Sequence, residues 1–155
     1  MFQKYAQRWG YDFYFFDASF DTSRPAAWSK IKAVQQVLYT HQYEWVVWVD
    51  DDMSLTNPDK RLEFFIQKSP PETDLILSGH GCFKQNRLTK TPVIRSGSAE
   101  LNTGIFFIRD TAWARAFLER VWDIGNSRYC KEPDTYWEQD RKSTRLNSSH
   151  ANISY

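Results

Sequence analysis

Residues Trp45 to Val49 read WVVWV, with no polar side chain among them, and the next three residues are Asp50, Asp51 and Asp52. The run is far shorter than the ~18–20 apolar residues that cross a bilayer. Three of its members are β-branched, which favours a strand. A strand wetted on one face alternates apolar and polar residues, so an unbroken apolar run demands cover on both faces. The chain must therefore fold as layers around this strand, which ends abruptly in three carboxylates.

The flanking sequence supplies those layers. Phe2 to Arg8 predicts a short helix closed by Gly10. Tyr11 to Ala18 (YDFYFFDA) predicts a strand. Pro25 opens a helix with Trp28, Ile31, Val34, Gln35 and Leu38 along one face. Asn57-Pro58 predicts the start of another helix, carrying Leu62, Phe65 and Ile66. Asp74 to Ser78 reads as a strand, Gly79 to Glu100 as a polar loop, and Gly104 to Ile108 as a further strand. Asp110 would cap a helix that turns Ala114, Phe117, Leu118 and Val121 inward. Strands alternating with helices predict an α/β domain with a largely parallel sheet. With 155 residues, 41% hydrophobic and 17% aromatic, the chain is long and apolar enough for one domain with its own core. No repeat is present at any useful period.

Charge and cysteine usage exclude several functions. The net charge is +1 with basic residues scattered, which argues against a nucleic-acid partner. Cys82 and Cys130 lie outside any zinc-ligand spacing and leave the redox compartment open. The N-terminus has neither the apolar core nor the cleavage site of a signal peptide. From Arg141 onward the sequence RKSTRLNSSHANISY changes character, with one Leu, one Ile and no periodicity. It resembles translated adapter or vector sequence, so residues 141–155 are expected to be a non-native or disordered tail that packs on nothing. On that reading the glycosylation sequons at Asn147 and Asn152 carry no meaning.

The three carboxylates carry the chemistry. Ligands of open α/β sheets bind at the carboxyl ends of the strands. Carboxylates this close repel one another, and a hard cation such as Mn²⁺ or Mg²⁺ with oxygen ligands relieves the repulsion. If the segment stays extended, Asp50 and Asp52 point one way and Asp51 the other, so the pair would hold one ion. A diphosphate would complete its coordination, and the ion would stabilise charge on a departing phosphate.

Five segments in order carry a more specific signal: WSKI (Trp28 to Ile31), EWVVWVDDD (Glu44 to Asp52), LNTGIFFIR (Leu101 to Arg109), FLERVW (Phe117 to Trp122) and EQD (Glu138 to Asp140). Together they resemble glycosyltransferase family 34, which includes galactosyl- and mannosyltransferases and xyloglucan xylosyltransferases. The resemblance implies a partial GT-A domain over residues 1–140, Rossmann-like and incomplete at both ends. It further implies a retaining transfer of a hexose or pentose from a UDP- or GDP-sugar to a glycan acceptor. By position, Asp50 and Asp52 would hold the metal. Lys30, Asp51, Asn102, Thr103 and Gly104 would face the donor. Glu138 and Gln139 would sit beside the reacting sugar, with Gln139 near the anomeric carbon.

Some features depart from that family. A later His usually completes the metal site, but His150 lies in the suspect tail, and His41 and His80 fall at the wrong places. Because the resemblance begins at the helix before YDFYFF, the strand that starts the nucleotide pocket in that family is expected to be missing here. Two other readings stand beside it. Asp50, Asp52 and Ser54 with Leu75 to Ser78 resemble the first motifs of haloacid-dehalogenase-type phosphatases, in which Asp50 would be the nucleophile. That family places its motif on the first strand, whereas here a strand and a helix come first. The chain could also be a non-catalytic fragment that binds nucleotide or glycan, for instance through Tyr136 and Trp137. Location follows from source: Golgi membrane, lumenal side, through a missing N-terminal anchor if eukaryotic, cytoplasmic if bacterial.

Overall fold

The computed structural model describes residues 1–17, 20–80, 83–85, 92–94, 100–124 and 150–154. In chain order the elements are α1 (Phe2–Trp9), β1 (Asp12–Phe16), a 3₁₀ turn (Ala26–Trp28), α2 (Ser29–Thr40), β2 (Trp45–Asp50), α3 (Glu63–Ile66), β3 (Leu75–His80), β4 (Phe83–Gln85), β5 (Pro92–Ile94), β6 (Glu100–Arg109), α4 (Ala112–Ile124) and β7 (His150–Ser154). Gly10 stops α1 as expected: it takes φ 74°, where only glycine is unstrained.

Five strands form one sheet in the order β1-β7-β2-β6-β3, and β4 pairs with β5 separately within the stretch expected to be loop. β2 lies at the centre, as its apolar run requires. Val46 and Trp48 face α2 and α4, where Ala33, Val34, Val37, Leu38, Phe106, Ile108, Ala114 and Leu118 complete one core. Trp45, Val47 and Val49 face the other way, onto Tyr5, Ala6, Tyr11, Leu62 and Phe107. Each face of the strand thus meets its own apolar layer.

The largely parallel sheet is not found: β1–β7, β7–β2, β2–β6 and β6–β3 all pair antiparallel. β1, β2 and β3 do share a direction, which is what strand–helix–strand alternation dictates. Alternation sets direction and not adjacency, and a strand of opposite sense lies in each gap between them. One of these is β7, from the segment expected to pack on nothing. Its backbone bridges β1 and β2, with His150 opposite both Phe16 and Asp50. Two strands of like direction left apart would each present unpaired N–H and C=O groups. Any extended stretch satisfies these whatever its hydrophobic composition. The expectation that the segment packs on nothing therefore fails for His150–Ser154, while its origin is a separate matter.

Two helix boundaries also differ from expectation. The helix foreseen from Asn57-Pro58 begins only at Glu63. Asn57 instead caps a turn through Asp59 N–H at 3.1 Å. The Tyr5 hydroxyl then takes the Lys60 carbonyl at 2.6 Å, and the Tyr11 hydroxyl takes the Leu62 N–H at 3.1 Å. Those tertiary bonds remove backbone groups that a helix would need. At α4 the N-terminal cap is Thr111, whose hydroxyl accepts from Ala114 N–H at 3.2 Å. Asp110 is committed to Arg115, at 2.6 and 2.8 Å.

Candidate functional site

The site grows from the end of β2. Alternation places Asp50 on the α2 side with Val46 and Trp48. Trp48 is fully buried, and a buried indole N–H requires an acceptor. It donates to Asp50 Oδ1 at 2.5 Å.

Helix α2 brings the cation. Lys30 lies on the same stripe as Ala33, Val34, Val37 and Leu38, and only 2% of it is exposed. Its Nζ reaches both Asp50 oxygens at 3.2 Å and donates to the Thr103 carbonyl oxygen at 3.3 Å. A buried ammonium persists when a carboxylate balances it and its protons are bonded. Lys30 is therefore part of the strand-end cluster and not a surface residue of the helix.

β6 closes the third side. Its register with β2, Val49 opposite Ile105, carries Thr103 and Gly104 past Asp50. A Cβ at Gly104 would stand 3.0 Å from Asn102 Oδ1 and 3.5 Å from Asp50 Oδ2. The tight contact is with the Asn102 side chain, whereas the Asp50 carboxylate lies at ordinary van der Waals distance from that position. Asn102 Oδ1 accepts from the Gly104 N–H at 2.8 Å, and Ser78 donates to the Asn102 carbonyl at 3.2 Å. Lys30, Asp50, Asn102, Thr103 and Gly104, drawn from well-separated stretches of chain, thus converge.

Asp51 and Asp52 behave differently from the alternation argument. Met53 N–H bonds the Asp50 carbonyl at 3.2 Å, so the chain turns immediately after the strand and both residues are exposed. Period two holds only along an extended segment, and it stops at Asp50. The relation of Asp52 to Asp50 is thus set by a turn. Among the described residues no cluster of three or more His, Cys, Asp or Glu could hold a metal ion. His41 bonds Tyr14 at 3.3 Å beyond the end of α2. Asp50 keeps 22% of its side chain open to solvent, and the exposed Asp51 and Asp52 follow it in the chain. Glu138, Gln139, Cys82, Cys130, Tyr136 and Trp137 lie outside the described residues.

Two contributors carried no weight in the sequence. Trp48 is one, and its only signal was the W-x-D spacing that puts indole and carboxylate on one face. Arg24 is the other. It is buried, donates to the Trp122 carbonyl at 2.7 Å, pairs with Asp21 at 3.1 Å and stacks on the Trp122 ring at 3.6 Å. The Asp21 carboxyl is held below its usual range, first by the Ser23 hydroxyl, then by the Ser23 N–H and Arg24. These bonds tie Asp21 to Arg24 against α4, and Phe20 N–H bonds Ser29 Oγ at 3.2 Å, next to Lys30 at the start of α2.

Comparison with known proteins agrees with the ordered segments. A protein named "Putative glycosyltransferase 7" from Arabidopsis thaliana is 27% identical over 142 residues. That alignment covers 90% of this chain but 28% of the relative, so the chain spans little more than a quarter of its length. No solved structure matches the chain. Residues 3–151 match the galactosyl transferase GMA12/MNN10 family, a match that reaches into the segment after Asp140. The chain belongs to that family, glycosyltransferase family 34.

Proposed function

We propose that this domain binds a nucleotide-sugar donor at the carboxyl end of β2 and serves transfer of a hexose or pentose to a glycan acceptor. The observation that carries the reading is the convergence of Lys30, Thr103 and Gly104 on Asp50. A partly exposed carboxylate held by a buried lysine, with a single glycine of β6 beside it, suits a sugar diphosphate and its counter-ion. Asp50 and Asp52 would hold Mn²⁺ or Mg²⁺, which supplies charge neutralisation for the departing diphosphate. Lys30 fixes the Asp50 carboxylate. Asn102, Thr103 and Asp51 supply polar groups for the donor's sugar or ribose.

The family resemblance supports the further reading that transfer retains configuration, with Gln139 and Glu138 as polar groups for the incoming acceptor. Family membership sets the phosphatase reading aside. None of the helices among the described residues is long and apolar enough to cross a membrane. Attachment to a Golgi membrane would then come from outside these elements. The reading is tested by incubating the protein with UDP- and GDP-sugars and Mn²⁺, with a phosphomonoester in parallel. Sugar release or transfer from one donor, abolished by chelator, supports it. Phosphomonoester turnover with no use of any nucleotide sugar overturns it.

A further inference from the structure

Trp48 does more than fill the core. Its indole donates to Asp50 Oδ1 at 2.5 Å, while Lys30 approaches the same carboxylate at 3.2 Å and stands 6.0 Å from the centre of the Trp48 ring. Gly104 leaves room on the Oδ2 side. The carboxylate is thus gripped from within the protein, and its solvent-open side is set by a residue that cannot reach the solvent itself. The W-x-D spacing makes this possible, because residues two apart on a strand share a face.

We propose that Trp48 is a positioning residue for the donor site: its N–H fixes the Asp50 carboxylate in the orientation that receives the cation of a nucleotide diphosphate. This rests on the metal and donor reading of Asp50 and Asp52. Groups that orient a ligating side chain from behind commonly change metal affinity by about 10- to 100-fold when removed. Packing of an indole needs its volume, whereas positioning needs its N–H, so the two roles separate.

The test is a titration of the protein with Mn²⁺ in the presence of UDP and, separately, GDP, with free Mn²⁺ followed by electron paramagnetic resonance. Trp48→Phe is compared with Trp45→Phe, a buried tryptophan of the same strand that faces the opposite core. Asp52→Asn reports on the underlying reading. The expected result is Mn²⁺ affinity about 10- to 100-fold weaker in Trp48→Phe and unchanged in Trp45→Phe. If Trp48→Phe does not fold, benzothienylalanine at position 48, which keeps the indole shape without the N–H, is expected to give the same loss. Equal losses in both Phe variants, or wild-type affinity with benzothienylalanine, overturn the positioning role while the donor reading survives. Absence of Mn²⁺ binding in the wild type, or wild-type binding by Asp52→Asn, overturns the donor reading and this inference with it.

Discussion

Replacing Asp50 or Lys30 removes one partner of the same ion pair, yet the two substitutions should cost the fold differently. The Lys30 side chain is 3% exposed and that of Asp50 22%, with 3.2 Å between ammonium and carboxylate. At that separation two unit charges attract by about 5 kcal/mol in a medium of effective dielectric ~20. Desolvation offsets part of this, and removing one member of a buried pair costs about 3–5 kcal/mol when the survivor has no relief. In Asp50→Asn the survivor is a buried ammonium, eased only by the Asn carbonyl and Thr103, so about 2–4 kcal/mol is expected. In Lys30→Met the survivor is a carboxylate that water reaches, and the cost should be nearer 1–2 kcal/mol. Lys30→Met with Asp50→Asn leaves no charge behind and should be more stable than Asp50→Asn alone. Asp52→Asn, exposed in the turn, should stay within about 0.5 kcal/mol of wild type. Urea unfolding at constant m-value measures all four. Equal stability of Asp50→Asn and Asp52→Asn, or a double variant weaker than Asp50→Asn, would refute the reasoning.

Other expectations follow, the first from the structure and the rest from the sequence. The Tyr5 phenol is pushed up to about 12 by burial, then by Tyr11 and Glu63. Its folded value exceeds the ordinary 10.0, so its contribution is complete below pH 10 and is lost as pH rises through about 12. Tyr5→Phe should flatten that alkaline loss and cost about 1 kcal/mol at neutral pH, measured by unfolding at several pH values. Gln139→Ala should lower kcat about ten- to a thousandfold with donor KM nearly unchanged, as for a contact made in the transition state. Wild-type turnover would remove Gln139 from the reaction. We also propose that residues 141–155 are non-native in origin, and a native transcript encoding RKSTRLNSSHANISY in frame would end that proposal.

What was legible in the sequence follows from burial and local periodicity. WVVWV had to be a central strand because no half-wet surface tolerates it. Lys30, Asp50 and Asn102 to Gly104 were found through the ordered segments, and they do meet. What escaped reading depends on tertiary partners. Nothing in DLILS or GIFFI says that β6 lies between β2 and β3, since strand order is a property of the whole sheet. Nothing in HANIS marks a strand, because its pairing uses backbone groups every residue carries. The α3 start moved to Glu63 because Tyr5 and Tyr11, some fifty residues earlier, claim Lys60 and Leu62. Asp52 left the period-two face because a turn begins one residue sooner than alternation assumes.

The central claim is that the carboxylates at the end of β2 bind a nucleotide diphosphate through a divalent cation. Calorimetric titration of the protein with UDP and with GDP, each with Mn²⁺ and with excess chelator, tests it most directly, with Asp52→Asn as the variant because its fold should be unaffected. The account predicts nucleotide binding in the wild type that needs Mn²⁺ and is lost in Asp52→Asn at unchanged stability. Nucleotide affinity that is the same with chelator as with Mn²⁺, or the same in Asp52→Asn as in wild type, would contradict it.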